Sequence, residues 1–283
     1  MSKIKSIIGF FLRSPKLLIG TIIFVSIISI SIIGMQIVDH DPLDMVDYEY
    51  LPPSSKWLLG TDAFGRDLFA EIVYGIFNSL KIGLMAGLIA TLIGVFIGAI
   101  AGFKGGLIDE FLNLVTNVML VIPTLALLIV IGSYIKIRSE YVLSLLIGIT
   151  SWPWTARAVR AQTYSLRTRE FIDIARISGL SDIELIIWDI LPNMLSYIVM
   201  AFTLQMGGAI ISEAGLSMLG LGPTDQVTLG MILRWALLWE AVRTMTWWWI
   251  FPPGLIITLL SVSLLLINTG LDELFNPRLR GRR

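Results

Sequence analysis

The chain has 283 residues, no cysteine and a formal net charge of zero, with 21 basic side chains against 21 acidic ones. Hydrophobic residues make up 55% and charged residues only 15%, where a soluble domain carries about 25% charge, and mean hydropathy is +0.81. This balance excludes a disordered chain, a disulfide scaffold and, lacking a basic excess, a nucleic-acid binder; a single histidine, His40, gives no basis for a zinc or haem site.

What is left is an all-α integral membrane protein. A spanning helix needs about 20 mostly apolar residues, and six segments meet that need: 17–38, 80–103, 107–135, 141–158, 195–211 and 248–271. The first is preceded by Lys3, Lys5, Arg13 and Lys16, as a signal peptide would be. Its apolar run is too long for that role and no small-x-small site follows, so it reads as a retained span. With the N-terminus inside, fourteen Lys and Arg fall in inner segments and seven in outer ones, which places both termini in the cytoplasm. The acidic stretch 39–49 then lies outside, where a solvated loop is expected rather than a metal site. Organisation follows: 1–79 holds the N-terminus, first span and outer loop; 80–272 is a five-helix core; 273–283 is a cytoplasmic tail.

In the second span Gly83 and Gly87, then Gly94, Gly98 and Gly102, recur four apart. Such a row lets another backbone approach closely, either at a sliding helix interface or in ordinary membrane packing. The apolar spans carry almost no ionisable residue, which argues against a proton- or sodium-coupled carrier with a buried carboxylate. No GxxxxGK[ST] loop occurs, so any ATP must be bound by another polypeptide. No GxSxG, HExxH or paired-carboxylate motif sits near a span, so no catalytic residue is assigned. Pro123, Pro153, Pro252 and Pro253 interrupt or border spans, as ordinary kinks or as markers of a pathway. Trp235, Trp239 and Trp247 to Trp249 suit an outer aromatic belt, or a stacking surface along a pathway.

The inner loop 167–193 is the most informative segment. Arg169 to Ile177 has helical composition, with Phe171, Ile174, Ala175 and Ile177 as an apolar stripe. Gly179 suits a left-handed C-terminal cap, Ser181 and Glu184 form a capping box that opens a second helix, and Pro192 ends it at the start of the fifth span. An amphipathic pair of this kind buries its stripe in the lipid interface or in a groove on a partner protein.

Asp173, Ile174, Ala175, then Gly179, then Ile190 and Pro192 resemble the EAA signature of prokaryotic ABC importer permeases, with Asp for the usual Glu and Ile for the first Ala. Further stretches resemble the dipeptide/oligopeptide/nickel subfamily, in order along the chain: Leu59 to Asp67 (LGTDAFGRD), Ala101 to Asp109, Ser151 to Ala161, Glu213 to Gly222, and Asn276 to Arg280 (NPRLR, with Asn for the usual Asp). The resemblance implies a type I importer permease fold with six spans and a plasma-membrane location. It also implies a homologous permease partner, two cytoplasmic ATPases that bind ATP and Mg, and an extracytoplasmic binding protein. The loop would seat its first helix on an ATPase through Arg169, Glu170, Phe171, Asp173, Ile174, Ala175 and Arg176, with Gly179, Ile190 and Pro192 shaping the turn and its link to the membrane. Gly179→Val would then uncouple ATP hydrolysis from uptake. The outer segment 54–74 reads as a capped turn before a short amphipathic helix, structural or in contact with the binding protein. The subfamily's solutes include dipeptides, oligopeptides, nickel chelates and oligosaccharides, and no residue in the chain singles one out. A self-sufficient carrier or channel is the competing class.

Overall fold

The computed structural model describes residues 14–275. Lys3, Lys5, Arg13 and the Asn276 to Arg280 match lie outside the described residues, with most of the 273–283 tail. The element order is α1 Pro15–Ile37, α2 Leu68–Lys104, α3 Gly106–Val121, α4 Thr124–Tyr134, α5 Glu140–Arg167, α6 Glu170–Ile177, α7 Asp182–Glu184, a π-helical turn Leu185–Ile190, α8 Leu191–Asn193, α9 Leu195–Met218, α10 Leu229–Leu238 and α11 Trp247–Phe275. Among the described residues there are two isolated β-bridges, Met45 with Arg66 and Thr61 with Asp67, and no strand.

Among the described residues four helices, α1, α2, α9 and α11, are long and apolar enough to cross a membrane. The expected span 107–135 is broken. Its halves, α3 and α4, meet at 85°, because Ile122 is extended (φ −75°, ψ 123°), as the residue before a proline prefers, and Pro123 restarts the helix. The remaining expected span lies within α5, whose second half carries Arg157, Arg160 and Arg167 and packs along α2.

The largest departure from expectation is the length of α2. It begins at Leu68, capped by Asp67, whose carboxylate accepts the Phe69 N–H at 3.0 Å. No separate short helix follows the LGTDAFGRD turn, and the boundary between 79 and 80 falls inside one continuous helix. Its 37 residues span about 55 Å, well beyond a hydrocarbon core of about 30 Å. The first turns are polar enough to break the apolar run, yet Leu68, Ile72 and Ile76 are buried against Leu229, Ile232 and Trp249. Tertiary burial extends the helix where hydropathy ends.

The glycine row faces two partners. A Cβ at Gly83 would lie 2.5 Å from Ile210 Cγ1, and one at Gly87 2.9 Å from the Met206 nitrogen, both on α9. At Gly94, Gly98 and Gly102 it would lie 2.6 Å from Thr155 Cβ, 2.5 Å from the Ala156 oxygen and 2.5 Å from the Arg160 oxygen, all on α5. These contacts leave no room for a side chain, so α2 is the spine on which α5 and α9 lie.

Candidate functional site: the loop helix and its anchor

The loop between α5 and α9 divides into an anchored side and a presented side. α6 ends in a full Schellman motif: the Gly179 N–H reaches the Arg176 carbonyl at 3.1 Å and the Leu180 N–H reaches that of Ala175 at 3.4 Å. Gly179 sits at φ +91°, in the left-handed region that favours glycine. Ser181 and Glu184 then make both halves of a capping box, with the Ser181 N–H on Glu184 Oε2 at 2.8 Å and the Glu184 N–H on Ser181 Oγ at 3.4 Å. The Ser181 hydroxyl, which donates to Glu184 Oε2 at 2.7 Å, and then the Ser181 N–H lower the pKa of the Glu184 carboxyl.

The second helix is not a plain α-helix up to Pro192. It continues as a π turn in which the Leu191 N–H reaches back to the Ile186 carbonyl. Pro192 lacks an N–H, and a wider turn just before it accommodates that loss. Pro192 lies in the single turn α8, and the fifth span starts afterwards at Leu195.

The expected stripe of Phe171, Ile174, Ala175 and Ile177 does not act as one face. Ile172, which the stripe omitted, is fully buried with Leu185, Ile190 and Met194 against Ala99, Phe103 and Val159, and Ala175 packs beside them. Phe171, Ile174 and Ile177 point outward, with Ile174 65% and Ile177 87% exposed. Arg169, Glu170, Asp173 and Arg176 are also exposed; Asp173 and Arg176 stand 4.0 Å apart, and Arg176 reaches over the Phe103 ring. Ile190 belongs to the anchor and Pro192 to the surface. One turn cannot place 171, 174 and 177 and also 172 and 175 on the same side, which is why a single stripe could not be right.

Around the anchor a polar girdle ties the ends of α2, α3 and α5 together. Arg160 on α5 makes a bidentate pair with Asp109 on α3, and Arg157 donates to Asn117 Oδ1 at 2.7 Å. Arg167 donates to the Phe103 carbonyl at 2.9 Å, capping the end of α2, and Lys104 stands 3.6 Å from Asp182 of the loop.

At the other end of the bundle lies a group that hydropathy missed. Glu213 on α9 is fully buried; its carboxylate accepts Ser217 Oγ at 2.7 Å and Ser79 Oγ at 3.0 Å, and Ser79 in turn accepts the Leu229 N–H at 3.1 Å. One carboxylate thus joins α2, α9 and α10. The expectation of almost no ionisable group in the spans fails here because the fifth span continues past Ile211 to Met218. Lys81 on α2 also pairs with the buried Glu140 of α5, at 2.5 Å.

The loop between α1 and α2 folds as a capped knot. Asp62 is fully buried and accepts the N–H groups of Phe64 at 2.7 Å and Arg66 at 2.9 Å; burial raises its carboxyl and those donors oppose the shift. Asp47 in the acidic stretch is lowered to about 2 by Lys56 and then by the Trp57 indole N–H.

The sequence profile of the binding-protein-dependent transport system inner membrane component matches residues 94–281, which include the whole loop, Glu213 and the girdle. The chain belongs to that family. Among the permease's relatives, the oligopeptide transport system permease protein OppC of Mycobacterium tuberculosis is 32% identical, over 85% of this chain and 83% of its own. The dipeptide transport system permease protein DppC of Alkalihalophilus pseudofirmus is 32% identical, over 95% of this chain and 88% of its own. A chain of the MetNI methionine ABC transporter, solved in inward-facing conformations, superposes with a TM-score of 0.54 at 19% identity, covering 71% of this permease and 93% of that chain. The permease therefore has the type I importer fold.

Proposed function

We propose that this permease is one of two membrane subunits of an ATP-driven importer for di- or oligopeptides in a prokaryotic plasma membrane, with both termini in the cytoplasm. The observation that carries the reading is the division of α6. Ile172 locks the helix to the spans, while Phe171, Ile174 and Ile177 stand in solvent with Arg169, Glu170, Asp173 and Arg176 around them. A short apolar ridge with a charged rim and a rigid base suits a cleft on a partner protein.

In this reading two cytoplasmic ATPases supply ATP and Mg binding, a homologous permease completes the pathway, and a binding protein delivers solute to the outer loops. Closure of the ATPase dimer moves α6. Because Ile172, Leu185 and Ile190 are packed on α2 and α5, and Arg167 caps α2, displacement of α6 passes to the spans. The peptide assignment is supported by the relatives' names and by their coverage of nearly the whole chain. The test is reconstitution of the permease with its partner subunits: ATP-dependent uptake of peptide is expected, and uptake by this chain alone without ATP would favour the self-sufficient carrier.

A further inference from the structure

The break between α3 and α4 leaves a cavity of about 220 Å³, lined by Met119, Thr124, Ser151, Trp154, Leu204 and Gln205 among others. Gln205 lies near the middle of α9 and Ser151 near the middle of α5, so the cavity stands at mid-span depth. No Asp, Glu, Lys or Arg lines it.

Its polar groups are partly committed and partly free. Gln205 Nε2 donates to the Ser151 carbonyl at 2.9 Å and to Thr155 Oγ1 at 2.8 Å, which fixes the amide against α5 beside Pro153. The other end of that amide, Oε1, accepts nothing from the described residues, and the hydroxyls of Ser151 and Thr124 have no partner among them either. α4 starts after Pro123 without a side-chain cap, so N–H groups of its first turn, which holds the lining residue Thr124, have no helical partner. An oriented acceptor, two hydroxyls and an apolar wall of Met119, Leu204 and Trp154 are the lining of a site for a neutral polar ligand. Thr124 is exposed and Ser151 and Gln205 are half-buried, so these groups are accessible to pair with a solute that enters the cavity.

We propose that this cavity is a substrate-contact site of the translocation pathway and takes an uncharged, amide-bearing stretch of the solute. Gln205 Oε1 accepts a peptide N–H, Ser151 and Thr124 donate to a peptide carbonyl, and Trp154 covers the adjoining side chain. With no charge in the lining, the solute's termini are not held here. The proposal rests on the importer reading above.

The chain contains no cysteine, so Thr124→Cys or Ser151→Cys introduces the only thiol in this subunit. Each variant, and Leu92→Cys on the exposed side of α2 as a control, is reconstituted with cysteine-free partner subunits and binding protein. Uptake of tetra-alanine is measured first, then maleimide labelling with and without that peptide. At ten times its dissociation constant, tetra-alanine should slow labelling at 124 and 151 about tenfold and leave 92 unchanged. Labelling should abolish uptake at 124 and 151 only. Unchanged labelling at 124 and 151 in a complex that takes up tetra-alanine would overturn the proposal and leave the importer reading intact. Equal protection at all three positions would also overturn it, as a global closure rather than a contact. Absence of ATP-driven uptake by the unsubstituted complex would overturn the importer reading itself. Thr124 is exposed, so its variant keeps the test open if Ser151→Cys fails to assemble.

Discussion

Glu213 shows how much one side chain can organise. Removing it leaves the Ser217 and Ser79 hydroxyl protons without their acceptor in a dry interior, although Ser79 Oγ still accepts the Leu229 N–H, and a buried hydrogen-bonding group left unpaired costs about 1–3 kcal/mol. Glu213→Ala should lower thermal stability in detergent by that order, and Glu213→Gln, which keeps an acceptor, should lose less. Equal melting temperatures for Glu213→Ala and the unsubstituted protein would contradict the role given to the carboxylate. Gly98 makes a second residue-scale case. A methyl group there meets the Ala156 oxygen at 2.5 Å, backbone that cannot swing aside, whereas at Gly208 nothing lies within 4 Å. Overpacking costs about 1–3 kcal/mol, so Gly98→Ala should destabilise and Gly208→Ala should not. Asp47 belongs to the same scale. Its folded value is lowered to about 2 from an ordinary 3.8, so its contribution is present above 3.8 and is lost as pH falls toward 2. The difference in tryptophan fluorescence between Asp47→Asn and the unsubstituted protein should be constant from pH 7 to 4 and vanish only near pH 2.

At the scale of the element, the role proposed for α6 separates stability from coupling. Ile172→Ala removes a fully buried side chain and should cost about 2–5 kcal/mol in unfolding free energy. Ile174→Glu alters only the outward ridge, so melting should stay as in the unsubstituted protein while ATP-driven uptake falls. The reverse pattern, a folding defect at 174 and none at 172, would mean that the two faces are assigned the wrong way round. Gly179→Val meets no neighbour within 4 Å, so its cost is strain at φ +91°, about 1–2 kcal/mol, and not a clash. The loss of coupling expected there should be relieved in Gly179→Asn, which tolerates that conformation better. Elements of this kind differed in how well they could be read from sequence. The caps at Gly179 and Ser181 are chemical and local, and the structure has them where the residues stand. The length of α2, the burial of Ile172 and the depth of Glu213 depend on what lies alongside, and hydropathy averaged along one segment carries no information about its neighbours. The 85° bend was half legible, since Pro123 marks the position but not the angle.

The whole molecule has α2 as a common spine. α5 and α9 lie against its glycines, and the loop joining those two helices is packed on its C-terminal end. Glu213 ties the far end of α9 back to α2 through Ser79, so α9 is held to the spine at both ends. In the proposed importer a push on α6 would become relative motion of helices about this spine, with the 220 Å³ cavity between α3, α4, α5 and α9. The zero net charge of the chain also takes on a structural sense: basic residues gather in the girdle around Arg157, Arg160 and Arg167, and acidic ones in the knot between α1 and α2. The most direct test of the account is site-specific cross-linking of Ile174→Cys to the ATPase subunits in the assembled importer, with peptide uptake measured on the same preparation. The account predicts an ATPase cross-link at 174 that forms rapidly, abolishes uptake and is absent for a cysteine at 172. Full uptake by an assembled complex in which position 174 cross-links to no ATPase would contradict it.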